Sequence, residues 1–182
     1  MAIREILRMG HPVLRQRAEP VPVDALSSPA LAALREDLRD TLADSGGIGL
    51  AAPQIGVSLR VALIDLPGGE SRYGTLPRIP ETYFVNPQIE ILDPATAGYW
   101  EGCLSVPGMR GFVSRPQHLR VAAMDEAGKP LVHEFEGFAA TVIQHEFDHL
   151  DGTLYVDRLA SPQHLMFEAE YARYVLGEDP AG

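Results

Sequence analysis

With 182 residues and 46% hydrophobic content, the chain is large enough to bury a sizeable core, and a single domain spanning residues 1–182 is expected. A formal charge of -10 leaves no excess of Lys and Arg to neutralise phosphates, which excludes a general nucleic-acid-binding surface. The lone Cys103 excludes an intramolecular disulfide, and no apolar run is long enough to span a bilayer or resemble a leader, so a cytoplasmic protein without a membrane partner is expected.

In chain order, Ser28-Pro29 followed by Leu31, Leu34, Leu38 and Leu42 predicts a helix to about Ala43, with serine as cap, proline in the first turn and apolar residues three and four apart. Ser45-Gly46-Gly47 ends it, and Gly47 to Gln54 reads as a loop whose small side chains let the backbone approach a ligand. Arg60 to Leu66 is a strand, and Leu66 to Pro80, rich in glycine and proline, is a surface excursion. Tyr83 to Asn86 and Gln88 to Leu92 are short extended segments separated by Pro87, a pattern of edge strands. Trp100 to Ser105 and Arg110 to Ser114 are also extended, while Leu119 to Met124 and Leu131 to Phe135 flank a hairpin turn at Asp125-Glu126-Ala127-Gly128.

From Phe138 the period becomes helical. Phe138, Val142, His145 and His149 share one face, with Ala139, Ile143 and Leu150 beside it, so the helix is buried nearly all round until Asp151-Gly152 stops it. Ser161-Pro162, with Leu165, Met166, Tyr171, Tyr174 and Val175 following, predicts a last helix whose tail frays after Gly177. The class is α+β: mostly antiparallel short strands around a central metal-binding helix, with an N-terminal helix and a C-terminal helix.

His145-Glu146-Phe147-Asp148-His149 carries the chemistry. Four helical residues advance about 400° and roughly 6 Å, so both imidazoles project from one face and reach one cation. Glu146 lies beside them, near enough to meet a water without being a ligand. A catalytic metal takes three protein ligands and keeps one position open. Glu168 and Glu170 satisfy spacing alone, but Cys103, in Glu101-Gly102-Cys103-Leu104-Ser105, is the better third candidate because thiolate suits a borderline-soft divalent ion. His118, His133 and His164 lack metal spacing and are expected at the surface, His11 belongs to a segment packing across the domain, and Tyr99 and Trp100 are packing or rim residues.

Three stretches resemble the peptide deformylase family: Gly47-Ile48-Gly49-Leu50-Ala51-Ala52-Pro53-Gln54, Glu101-Gly102-Cys103-Leu104-Ser105 and Gln144-His145-Glu146-Phe147-Asp148-His149-Leu150. His11 to Arg15 and Asp157-Arg158 extend the likeness to roughly residues 3 to 160. The resemblance implies removal of the formyl group from formyl-methionine at the N-terminus of nascent polypeptides. It implies one divalent ion on Cys103, His145 and His149: ferrous iron in the cell, with zinc, nickel or cobalt taking its place in isolated protein. Glu146 is then general base and acid, Gln54 and the Leu104 N–H face the formyl oxygen, and backbone at Ile48, Gly49 and Gly102 holds the peptide extended. A methionine pocket walled by Phe138, Val142 and Ile48 is expected, as is a supporting pair between Glu101 and Arg115. Weak ribosome association is a further implication, although the acidic stretch Phe167 to Tyr171 opposes docking through a basic helix. The rivals are an H-E-x-x-H zinc endopeptidase, indifferent to Cys103, and a binding domain with a closed structural metal site, which needs a fourth ligand.

Overall fold

Serine and proline at the start of the first amphipathic segment act as expected. Helix α1, Pro29–Ser45, begins where Ser28 Oγ accepts a hydrogen bond from the Leu31 N–H at 3.2 Å, and it ends at Gly46 with φ 66. The computed structural model describes residues 3–71, 74–125 and 127–177; Glu126 of the hairpin turn, positions 72–73 of the surface excursion and the tail beyond Gly177 lie outside them.

After α1 come β1, Gly49–Ala51, and a 3-10 turn, Ala52–Ile55, so the stretch expected to be loop is half sheet edge. Strand β2, Val61–Leu66, pairs antiparallel with β1. The surface excursion forms its own small hairpin of β3, Gly69–Ser71, and β4, Gly74–Leu76. Next is β5, Ile79–Cys103, followed by β6, Val106–Met124, and β7, Pro130–Glu136, which pair in antiparallel succession.

The main sheet runs β1-β2-β5-β6-β7. Tyr83 to Leu92 therefore lies in an interior strand, not at an edge. Pro87 is tolerated because the register shifts between Val85 and Gln88, where no ladder donor is needed from it. Asn86 there adopts φ 52, and its side chain accepts from the Val21 N–H and donates to the Val21 carbonyl, both at 2.8 Å.

Both faces of the sheet are covered, which explains why β2 is buried at nearly every position. Val61, Leu63, Tyr83 and Val85 meet Leu31, Leu34, Leu38 and Leu42 of α1. The alternate residues Ala62, Ile64, Leu66 and Phe84 meet helix α2, Gly137–Leu150, through Ala139, Ala140, Ile143, Phe147 and Leu150. All residues from Ala139 to Leu150 are buried, as the all-round pattern predicted. The end of α2 is satisfied by other segments: the Leu150 carbonyl accepts from the Ala18 N–H at 2.8 Å and from Arg60 at 3.2 Å.

The C-terminal region departs from expectation. Ser161 caps only a 3-10 turn, Pro162–His164, and β8, Leu165–Phe167, then adds to β6 opposite Met109, Arg110 and Gly111. Helix α3 spans Glu168–Tyr171 and passes into a wider turn, Ala172–Leu176. The sheet offered residues 165–167 ladder partners that local periodicity does not register. Among the described residues, no helix is long and apolar enough to cross a membrane.

The turn Tyr155–Arg158 is held by Asp157, which accepts from the Leu154 N–H at 2.8 Å and pairs with Arg15. Partial burial raises its pKa, but those two hydrogen bonds outweigh it and hold the carboxyl below the usual range. A depressed folded-state value means the stabilisation is present above the ordinary carboxylate value and lost as pH falls through the folded one. Replacing Asp157 by Ala is expected to lower stability by about 1 kcal/mol at neutral pH. The difference from the native chain, read from urea melts, should shrink as pH falls below the ordinary carboxylate range.

Candidate metal centre

Three separate segments meet at the open side of α2. Cys103 ends β5 and pairs with Val106 across the turn at Leu104-Ser105, which sets the sulfur above the helix. His145 and His149 stand one helical turn apart, with ring centroids 5.2 Å from each other. Sγ of Cys103 and one nitrogen from each imidazole all lie within 4.8 Å of one another, and Sγ is 3.3 Å from Nε2 of His149. One thiol and two imidazoles from separated elements converge on a point that a single cation fits.

The groups around these donors fix their orientation. Glu101 Oε2 lies 2.8 Å from Nδ1 of His145, leaving Nε2 for the cluster. Arg115 in turn donates from Nε and Nη2 to the two oxygens of Glu101 at 2.7 and 3.0 Å, so the pair inferred from motif position is a buried two-point contact. Burial raises the Glu101 pKa, but hydrogen bonds from His145 and Arg115 more than reverse it and hold the carboxyl below its ordinary value. Burial also disfavours a charged His145, yet Cys103 and Glu101 overcome it and draw that ring well above the usual imidazole value. His149, with burial reinforced by the charges of His145 and Arg115, is pushed well below it and is neutral, the form that offers a lone pair.

Glu146 is different in kind. It is buried, Oε2 has no hydrogen-bond partner among the described residues, and burial together with Glu101 raises its pKa to about 7 against the pull of His145 and Arg115. A carboxyl so poised exchanges protons near neutrality. Gly49 on β1 presses against it: a Cβ there would lie 2.5 Å from Glu146 Oε1. Gln54, 1% exposed, accepts from the Ala51 N–H through Oε1 at 2.8 Å, which aims Nε2 at Ser105 Oγ, 3.2 Å, and Cys103 Sγ, 3.7 Å.

The Arg110 guanidinium lies over Gly102, and an added Cβ there would fall 2.3 Å from Nη1 and oblige that side chain to shift. Arg110 is held there by Glu168, at 2.5 Å from Nη2 and 3.0 Å from Nε, so the acidic alternative to Cys103 is committed elsewhere. Leu104 packs its side chain towards Gly47. Ile48 lies against the core with its carbonyl accepting from the Asp65 N–H at 3.0 Å, Val142 is in the core itself, and Phe138 is half-buried in an edge contact with Tyr99. His118 stands near Glu134 and Glu136, and His164 meets the Phe112 ring, both away from the cluster.

Sequence reasoning missed three contributors. Ser105 is fully buried against Gln54, Tyr155 stacks on His145 with centroids 6.0 Å apart, and Asp148 binds Arg115 at 2.7 Å. Asp148 stood in plain view inside the motif, but nothing local marks a helical carboxylate as buried. The N-terminal segment, expected to cross the domain, also braces the site: the Leu7 N–H donates to the Gln54 carbonyl at 2.8 Å and the Met9 N–H to the Ser105 carbonyl at 2.7 Å.

The donor set and the unpartnered carboxylate oxygen fit a catalytic rather than a closed structural metal site, which places the protein among metal-dependent hydrolases. Known proteins narrow the class. A family model described as polypeptide deformylase matches residues 3–164. A peptide deformylase of Leptospira biflexa is 44% identical over 88% of this chain and 90% of its own, and peptide deformylase 1 of Prochlorococcus marinus is 47% identical over 93% and 88%. The Met-Ala-Ser-bound class I type b peptide deformylase of Acinetobacter baumannii superposes with TM-score 0.80 at 32% identity, covering 87% of this chain and 99% of that one. The chain belongs to the peptide deformylase family, metal-dependent hydrolases that remove the N-formyl group from nascent chains. An endopeptidase is not favoured.

Gly49→Ala is the substitution this geometry singles out. The methyl group must displace the Glu146 carboxylate while leaving Cys103, His145 and His149 in place. The expected result is a kcat reduced on the order of a hundredfold with bound metal retained, measured by steady-state kinetics alongside metal analysis.

Proposed function

We propose that Cys103, His145 and His149 hold one divalent ion, ferrous iron in the cell, with zinc, nickel or cobalt able to replace it in isolated protein. The convergence of their ligand atoms within 4.8 Å carries this reading. Such an ion supplies Lewis acidity, making water nucleophilic at neutral pH and polarising the formyl carbonyl. Residues 1–182 act as one catalytic domain.

Water attacks the formyl carbon, and Glu146 accepts its proton. The oxygen that gains negative charge receives hydrogen bonds from Gln54 Nε2 and the Leu104 N–H. Glu146 then gives its proton to the amine nitrogen as the carbon–nitrogen bond breaks, because an amine does not leave as an anion. Formate and a free methionyl N-terminus result, and Glu146 is restored.

Backbone at Ile48, Gly49 and Gly102 holds the peptide extended between β1 and the end of β5. Phe138, Val142 and Ile48 wall the methionine pocket. Substrates are formyl-methionyl peptides and nascent chains, and the Met-Ala-Ser ligand of the Acinetobacter baumannii relative supports that class. A formyl carbon carries only hydrogen, so a crowded site admits it and refuses a substituted amide. The setting is the cytoplasm, with weak ribosome association at most, since Glu168 and Glu170 leave α3 acidic.

The test is formate release from a formyl-Met dipeptide. Native protein is expected to release formate, Glu146→Ala to retain its metal while losing at least about a thousandfold in kcat, and Cys103→Ala to bind metal poorly. Undiminished turnover by Glu146→Ala would overturn the mechanism, and cleavage of an unformylated internal bond would favour the peptidase.

A further inference from the structure

Arg115 sits between two carboxylates, and one guanidinium cannot balance both. It donates two hydrogen bonds to Glu101, and its Nη1 donates to Asp148 Oδ2 at 2.7 Å. An imidazole that holds a metal is neutral, and with His145 in that form these three charged groups carry a net negative charge, although the side chains of Arg115 and Glu101 are only 4% and 3% exposed. An unbalanced charge at that depth is costly.

The missing cation comes from outside the motifs. Arg158, at the end of the turn Tyr155–Arg158, donates from Nη2 to Asp148 Oδ1 at 2.6 Å and from Nε to Oδ2 at 3.2 Å. Its side chain is 50% exposed, and with Arg115, Asp148, Ile89 and Ile91 it lines a cavity of about 360 Å³. The contacts form one unbroken path: Arg158 to Asp148, Asp148 to Arg115, Arg115 to Glu101, Glu101 to Nδ1 of His145.

We propose that Arg158 is a positioning residue for the metal centre: by gripping Asp148 it leaves Arg115 committed to Glu101, and so sets how strongly Glu101 draws on the imidazole of His145. Without Arg158, Asp148 has a single cation and takes a larger share of Arg115. Glu101, less neutralised, pulls harder on the Nδ1 proton, and the opposite nitrogen becomes a richer donor to the metal. A more electron-rich metal is a weaker Lewis acid, so the loss falls on turnover and not on peptide binding. The inference rests on His145 being a metal ligand. The plainer alternative is a half-exposed ion pair that merely ties the turn to α2 and contributes at most about 1 kcal/mol.

Cobalt(II)-loaded protein separates these. Native chain, Arg158→Gln, Arg158→Lys and a control, Arg120→Gln, are compared; Arg120 makes a similar exposed cluster with Glu90 and Glu134 on the sheet. Expected for Arg158→Gln are a shifted visible cobalt spectrum, slower cobalt loss, and kcat on a formyl-Met tripeptide reduced threefold to tenfold with KM unchanged, less than the roughly tenfold to hundredfold typical of a direct ligand partner. Arg158→Lys keeps the charge without the fork and should fall between. If Arg158→Gln changes only the melting temperature and matches Arg120→Gln in spectrum, cobalt retention and kcat, the proposal is overturned. Should the glutamine variant fail to fold, the lysine variant decides: an intermediate shift supports the path, and a native spectrum with native kcat overturns it. Absence of sulfur-to-cobalt charge-transfer absorption in the native protein would instead defeat the ligand assignment on which the inference rests.

Discussion

A helix enclosed on every side cannot carry polar side chains unless each finds a partner, and in this protein Arg115 is the partner on which the others depend. Six of the buried residues of α2 are polar or charged: Thr141, Gln144, His145, Glu146, Asp148 and His149. Gln144 donates to the carbonyls of Pro116 and Ala140. His145 reaches Glu101, and both Glu101 and Asp148 converge on Arg115. Removing that one guanidinium would leave Glu101 with His145 as its remaining partner and Asp148 with Arg158 as its own, a loss on the order of several kcal/mol. Among the described residues Oε2 of Glu146 and Nδ1 of His149 are left unmatched on this helix, and an unmatched carboxylate beside the Cys-His-His cluster suits the proton transfer proposed for it.

The fold serves this helix in two ways. By covering the sheet on both faces it gives β2 and β5 a rigid interior, with α1 against one set of alternating residues and α2 against the other. By extending β5 and β6 well beyond that interior it carries Cys103 and Glu101 to the histidines on strand backbone, with Arg115 opposite Ala97 in the same ladder. Sites held on regular elements keep their geometry better than sites on loops. The glycines complete the arrangement by absence: at Gly49 and Gly102 a side chain would occupy space taken by Glu146 and Arg110.

Much of this was legible in the residues alone, for reasons that differ by element. The H-E-x-x-H spacing needs only helical geometry to bring two imidazoles together, and Ser28-Pro29 marks a helix start through contacts within four residues. Burial of α2 on all sides followed from the absence of any polar stripe among Ala139, Ile143 and Leu150. What was hidden depended on distant partners. Pro87 looks like an edge signal until the register shift beside Asn86 removes the need for its N–H. Leu165 to Phe167 look helical until β6 offers a ladder at Met109 to Gly111. Arg158 looks like any surface arginine, because the carboxylate it meets is buried only by the tertiary fold.

The clasp made by the opening residues has a bearing on how the molecule is assembled during synthesis. Leu7 and Met9 hydrogen-bond to carbonyls that lie 47 and 96 positions further along, at Gln54 and Ser105. Translation delivers those opening residues first, yet they have nothing to fasten to until the middle of the polypeptide has left the exit tunnel. Contacts of such sequence separation are slow to close. The bracing of Gln54 and Ser105 is therefore a late event, and an N-terminal fragment ending before Cys103 lacks both the sulfur and the Ser105 carbonyl on which Met9 docks.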